Sequence, residues 1–294
     1  MNGVLVVDKP AGWTSHDVVQ KVRGILREKK IGHTGTLDPL ATGVLVLCIG
    51  KAAKIIRYLE SDDKEYTAEL KLGTVTDTQD ADGRILETKE YAPPTAEAIA
   101  AVLRQFEGAI RQRPPAYSAL KVSGVPSYRL ARAGTLTAHA ERPVTVHAIG
   151  LLDYRDPKVR FTVTCSKGTY VRTLCADIGE RLGTGAHLTA LVRTRSGLFR
   201  LEESRSLEQV EQAAAAGNAG SLLLSLSEAL RGLPEVVIGD ADKARIVHGN
   251  AIAFPGGQPA AREDRPVRIV GRDGILTAVA RVRGGSLLPE TVVS

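Results

Sequence analysis

The segment Gly32-His33-Thr34-Gly35-Thr36-Leu37-Asp38-Pro39-Leu40-Ala41-Thr42-Gly43, running straight into the apolar stretch Val44–Ile49, constrains this chain more than any other. An unbroken apolar run of that length reads as a buried strand. The loop before it carries three glycines, where a backbone can approach a ligand because no Cβ stands in the way. Asp38 is the only acid in the loop, and His33 lies five positions upstream. If this loop performs chemistry, Asp38 is the candidate.

The surrounding pattern is mixed rather than repetitive. Val4–Val7 reads as a strand, and Thr14 with Asp17 forms a capping box ahead of Val18, Val19, Val22, Ile25 and Leu26 on one helical face. Ala52, Ile55, Ile56 and Leu59 predict a further helix. Lys64 to Leu72 alternates as a half-buried strand with Tyr66 on its apolar side, and Asp82-Gly83 turns into Arg84–Thr88. A helix is expected from cap Thr95 to Phe106, a strand over Val159–Cys165, and a helix striped by Leu174, Ile178 and Leu182. Residues 213–220 read as a low-complexity loop. A boundary falls near Arg231–Pro234, dividing residues 1–232 from a small β-rich module over 233–294 with strands at Val267–Val270 and Leu276–Val282. Without a regular βαβ alternation or any internal repeat, the fold class is α+β.

The 294 residues carry a net charge of +6, a lean toward anionic partners. That charge concentrates in a segment with little periodicity beyond a short helix near Tyr128–Ala133. Residues 111–142 hold Arg111, Arg113, Lys121, Arg129, Arg132 and Arg142 against Glu141. A long irregular segment inside a compact domain is functional or mobile, although a solvated charged loop is an equal reading. Three scattered cysteines give neither a disulfide framework nor a zinc site. No signal peptide or membrane-length apolar stretch is visible, so a cytoplasmic chain is expected.

Two resemblances fail on spacing. Gly50-Lys51 is followed by Ala52, where a phosphate loop needs Ser or Thr. Asp80-x-Asp82-Gly83 has Thr78 and Lys89 at the first and twelfth positions of a calcium loop, so the bidentate carboxylate is missing. Composition alone leaves Asp38 as a turn or cap residue before Pro39, His33 as a loop histidine and Tyr66 as a core aromatic. Arg172 is odder: it opens a predicted helix, where the macrodipole disfavours a cation. Either it is solvated or an anion such as Asp38 compensates it.

Several long motifs, in one order, resemble the TruB family of bacterial tRNA pseudouridine-55 synthases. They are Asp8-Lys9-Pro10 with Thr14-Ser15-His16-Asp17; Gly32 to Gly43; Tyr66; Thr76-Asp77-Thr78 with Asp80-Ala81-Asp82-Gly83; Pro114 to Lys121; Lys167 to Leu174; and Gly185-Ala186-His187-Leu188. The resemblance implies the pseudouridine synthase fold, a central mixed or antiparallel sheet flanked by helices, with a PUA-like RNA-binding module after residue 232. It implies an isomerase that breaks N1–C1′ of the T-loop uridine 55 of tRNA and rejoins the ribose at C5, using base flipping and no cofactor or metal. Asp38 matches the family nucleophile, Arg172 the arginine paired with it, and Tyr66 the tyrosine that stacks on the target base and is a candidate to accept the C5 proton. Tyr170 and Leu191 match positions lining the uracil pocket, and His33 the histidine set against the T loop. Lys9 and Asp80 are expected to bind substrate. The basic segment matches an insertion that clasps RNA, through Arg111, Arg113, Lys121, Arg129 and Arg132. The expected partner is the tRNA T-stem-loop, bound by a monomer without an obligatory protein partner or a membrane. The rivals are a tRNA-folding chaperone with secondary or no modification activity and a guide-RNA-dependent relative.

Overall fold

The computed structural model of the chain describes residues 1–60, 63–118, 120–122, 124–127, 130, 139–255 and 263–293, at 121, 122 and 126 by backbone alone. The first strands are β1 (Gly3–Lys9), β2 (Ile31–His33), β3 (Thr42–Ile49) and β4 (Lys64–Leu72). A small hairpin, β5 (Thr74–Thr76) with β6 (Ile85–Thr88), leads to β7 (Gly108–Gln112) and a second hairpin, β8 (Lys121–Val122) with β9 (Val125–Pro126). There follow β10 (Arg142–Arg155), β11 (Lys158–Cys165), β12 (Ala186–Ser196) and β13 (Phe199–Arg200). The large sheet runs β1-β3-β12-β4-β11-β10-β7, with β2 added beside β3 and β13 beside β12. All its pairings are antiparallel except β12 with β3, so the sheet is mixed and the fold α+β, as expected.

The parallel β3–β12 pair lasts only two positions, Thr42↔Val192 and Gly43↔Arg193. On the same side of β3, β2 pairs with Cys48 and its neighbours. Between the two, the sheet splits, and the glycine-rich loop descends from β2 into that gap. Gly43 sits at the split with φ +97°, and a Cβ there would fall 2.3 Å from the Arg193 carbonyl oxygen. Only glycine fits both the torsion and the space.

Helices cover the sheet. In α1 (Ser15–Leu26), Thr14 Oγ1 accepts from Asp17 N while Asp17 accepts from Thr14 N, the capping box read from the sequence, and Val18, Val19 and Val22 are buried. The expected helix at 52–59 is a 3-10 turn (Gly50–Ile55) followed by one α-turn, α2 (Ile56–Leu59). Its start is held from the N-terminus of the chain, by Asn2 Oδ1 accepting from Lys51 N. Next come α3 (Ala96–Arg104) and α4 (Val171–Arg181). The expected loop at 213–220 is instead the end of α5 (Leu207–Ala215) and a 3-10 turn, Ala219–Leu222. Ser206 and Gln209 form a capping box and alanine is the strongest helix former, so the composition that looked like a loop propagates a helix.

The basic segment is less irregular at its ends than its sequence suggests. Arg142 pairs with Gln112 and Pro143 with Arg111, so its two ends are neighbouring strands of the large sheet. The helix expected near Tyr128–Ala133 lies outside the described residues, apart from Leu130.

After a single helical turn, α6 (Leu226–Ala229), the second sheet contains β14 (Glu235–Ile238), β15 (Ile252–Ala253), β16 (Pro266–Gly271), β17 (Leu276–Arg283) and β18 (Ser286–Val292), in the order β14-β16-β17-β18-β15, with α7 (Asp240–Val247) against it. It does not hang free. Val270, Leu276, Val279 and Val293 join one buried cluster with Val4, Val6, Val44 and Val46 of the large sheet. Lys54 Nζ donates to the Val292 carbonyl, and Arg57 donates to Thr291 Oγ1 at 2.7 Å.

Candidate active site

The loop that carries Asp38 is held from four directions. Leu37 is buried with Ala41 in the same apolar cluster as Tyr66, Val171 and Leu191. Ser15, buried at the start of α1, accepts from Leu37 N at 2.8 Å and donates to the Leu37 carbonyl at 3.2 Å. Gly12 N and Lys9 Nζ both donate to the Pro39 carbonyl. Arg193 donates from Nη2 to the Gly35 carbonyl and from Nε to the Val44 carbonyl, bridging the split in the sheet. Apart from the buried Leu37 side chain, these anchors hold backbone, and the Asp38 side chain stays one-third exposed.

Arg172 meets it. At the second position of α4 its side chain is 4% exposed and its Nε lies 2.8 Å from Asp38 Oδ2. That Nε–H is not aligned for a hydrogen bond; the hydrogen bond is Nη2 to Asp38 Oδ1 at 3.1 Å. The rest of the guanidinium donates to the carbonyls of Thr78 (3.1 Å) and Tyr117 (2.9 Å), and Nη1 stands 3.5 Å from Asp80 Oδ2. A cation at a helix start is thus compensated by two carboxylates and two carbonyls, and the solvated alternative falls. Asp80 is buried; burial raises its carboxyl above the usual range, against the opposing pull of the Thr78 hydroxyl and Arg172. Its other oxygen accepts from Thr78 Oγ1 and Asp82 N. Asp80 therefore holds Arg172 from behind, inside an acidic turn, and does not face open space.

Tyr66 is 8% exposed in β4, directly opposite Arg193 of β12 and next to Val163 of β11. Burial pushes its hydroxyl above the ordinary tyrosine value, and the adjacent Arg193 guanidinium opposes that rise by its charge and as a donor. Leu191, two positions along β12, is buried opposite Ala68. Tyr170 caps α4; the buried Gln112 side chain donates to its carbonyl (3.0 Å) and accepts from its N–H (2.8 Å), and Arg142 lies over its ring at 4.9 Å from the centroid. A hollow of about 430 Å³ is lined by His33, Thr36, Arg142, Lys167 and Gly168 among others. Burial, with the charge of Arg193, lowers the His33 pKa; its Nδ1 accepts from Gly35 N, so the neutral ring keeps Nε2–H as a donor.

Two groups of expected residues sit differently from the expectation. Lys9 is completely buried, its ammonium on the carbonyls of Pro10, Trp13 and Pro39, and burial lowers its pKa to about 8. It fastens the loops on either side of Asp38 instead of facing a ligand. Of the basic segment, Arg111 and Arg113 are exposed and share Glu141 at 3.4 and 3.5 Å. Arg129 and Arg132, and the side chain of Lys121, lie outside the described residues. Ser15, Gln112 and Arg193 were not singled out by sequence, because each acts on backbone far along the chain.

The chain is similar to known proteins along most of its length. Residues 23–171 match the family described as TruB family pseudouridylate synthase, N-terminal domain, and residues 172–234 match the tRNA pseudouridylate synthase B C-terminal domain. Proteins named tRNA pseudouridine synthase B are similar along most of the chain. That of Bacillus licheniformis is 44% identical over 95% of this chain and 92% of its own length, and that of Cupriavidus metallidurans 44% identical over 100% and 94%. Among solved structures, a Cbf5-Nop10-Gar1 complex aligns with TM-score 0.79 and 29% identity over 99% of this chain and 85% of the other. An H/ACA RNP bound to a substrate RNA containing 2′-deoxyuridine gives TM-score 0.78 and 28% identity over the same shares.

Proposed function

The chain belongs to the TruB family of pseudouridylate synthases, and we propose that it converts uridine 55 in the T loop of tRNA to pseudouridine, with Asp38 as nucleophile. The observation that carries this reading is the Asp38–Arg172 pair: a part-exposed carboxylate, 2.8 Å from a buried guanidinium, on a loop whose Leu37 and Ala41 share one apolar cluster with Tyr66 and Leu191. Arg172 holds the carboxylate in one orientation, so that it can add covalently, hold the separated fragments and leave again. Cleavage of N1–C1′ and closure of C5–C1′ conserve every heavy atom; C5 loses a proton and N1 gains one, so the product is an isomer of the substrate.

A T-loop uridine must leave its stack to reach Asp38, at a cost of a few kcal/mol. Stacking on Tyr66, a neutral His33 against the loop and phosphate contacts from Arg142 and the basic segment offset that cost. Lys9, Ser15 and Asp80 act by holding the machinery in place. The C-terminal sheet serves as a PUA-like RNA-binding module, and the protein works as a monomer in the cytoplasm, where its tRNA substrate is found. The identity to tRNA-named relatives exceeds that to the Cbf5 and H/ACA structures by some fifteen points, which favours action without a guide.

The test is an unmodified tRNA transcript incubated with the purified protein alone, followed by chemical mapping of pseudouridine. One modified position in the T loop is expected. Modification only on addition of a guide RNA would favour the guided reading, and tRNA refolding without any modification the chaperone.

A further inference from the structure

Arg193 is among the largest buried side chains of the described residues, 2% exposed, and no carboxylate pairs with it among those residues. Its neutral partners are the Val44 carbonyl at 2.6 Å and the Gly35 carbonyl at 3.1 Å. A buried charge without a counter-charge is costly, and two carbonyl dipoles compensate it only in part. Its field is felt by the groups around it: it lowers the pKa of both Lys9 and His33. Both are bases, so neither can neutralise it. The acid that stands opposite is Tyr66, its direct cross-strand partner, with side chains on one face of the sheet and Cβ atoms about 5 Å apart. Asp38 and Cys165 face the same phenol and oppose its ionisation, which leaves Arg193 as the group that favours it.

We propose that Arg193 is a positioning residue for the final proton transfer: its buried charge stabilises the Tyr66 oxyanion while that oxygen takes the proton from C5. This rests on the tRNA-uridine reading above. Once the ribose is joined to C5, that carbon still carries its hydrogen. The C5–H bond breaks, its electron pair forms the C5–C6 double bond, and the displaced π pair goes to N1, which takes a proton from water. Tyr66 enters the step as phenolate, its own proton having gone to water, and leaves as phenol. The two water protons cancel, and the enzyme is regenerated. A buried phenol would not ionise at neutral pH unaided, and a permanent cation already in place costs no reorganisation when the charge appears.

The test uses the full chain and a T-stem-loop RNA deuterated at uridine C5, followed in single turnovers. In wild type no isotope effect is expected, the step being faster than those before it. Arg193→Met should slow product formation about 10²-fold, expose a primary C5 isotope effect, and make the rate climb with pH where wild type levels off, with RNA binding little changed. Arg193→Lys keeps the charge while losing the fork to the two carbonyls, so it should stay within about tenfold of wild type and show no isotope effect. A slow Arg193→Met enzyme with no isotope effect and a wild-type pH profile would show that Arg193 only pins the loop. If Arg193→Met does not fold, Arg193→Lys decides: a loss beyond about 10²-fold overturns the proposal. Release of C5 label by wild type checks the underlying reading separately; if wild type releases none, that reading fails first.

Discussion

At the scale of single residues, the site is a set of charges whose partners decide their state. Arg172 reaches Asp38, Asp80 and the carbonyls of Thr78 and Tyr117 with one planar fork. An ammonium cannot occupy all of those directions, so Arg172→Lys should lower the single-turnover rate by on the order of 10²-fold with RNA affinity nearly unchanged. A rate within twofold of wild type would break the pairing. Lys9 gives a prediction in stability. Its pKa is about 8 in the folded chain against 10.5 for an ordinary lysine. Between those values the unfolded chain holds a proton that the folded one has released, so this group's contribution rises with pH across that window and its penalty is complete below it. Urea midpoints of wild type and Lys9→Met, compared between pH 7.5 and 10.5, should therefore diverge in favour of wild type as pH increases. For Arg172 the helix start left solvation and a partner such as Asp38 both open, and the family resemblance pointed to the contact now seen at 2.8 Å. Arg193 was not legible in sequence: its hydrogen bond to Gly35 spans 158 positions and depends on where a sheet divides.

At the scale of elements, the split between β3 and β12 makes the site. A continuous pairing would have consumed the Val44 carbonyl and closed the gap into which the Asp38 loop descends. Gly43 is the hinge of that divergence, and Gly43→Ala would place a methyl 2.3 Å from the Arg193 carbonyl at a φ of +97°. Strain and overlap should together cost about 3 kcal/mol or more, measured by equilibrium denaturation; a loss under about 0.5 kcal/mol would mean that the strands shift apart freely. Local patterns were readable here. The α1 capping box and the alternation in β4 depend only on neighbours and were found as expected. The 213–220 error shows the limit from the other side: the Ser206–Gln209 box was present in the sequence, and low complexity hid it. Ser15 and Gln112 escaped because their partners, Leu37 and Tyr170, lie 22 and 58 positions away.

At the scale of the molecule, the two sheets share a core. Val270, Leu276, Val279 and Val293 are buried in one cluster with residues of β1 and β3, and β3 follows directly on the Asp38 loop. Calorimetry of the full chain should therefore show one cooperative transition; two resolved transitions would mean that the second sheet is an independent passenger. The sequence placed the boundary near Arg231–Pro234 but had no means to show this docking, since apolar residues in short strands look alike whether they face their own sheet or another. The whole assembly serves one bond exchange, and its central claim is that Asp38 performs chemistry and is not needed for binding. The direct measurement is tritium release from C5-labelled uridine in tRNA by Asp38→Asn, alongside its tRNA affinity. Wild-type binding with no release is expected if Asp38 is the nucleophile. Release at the wild-type rate would contradict that role.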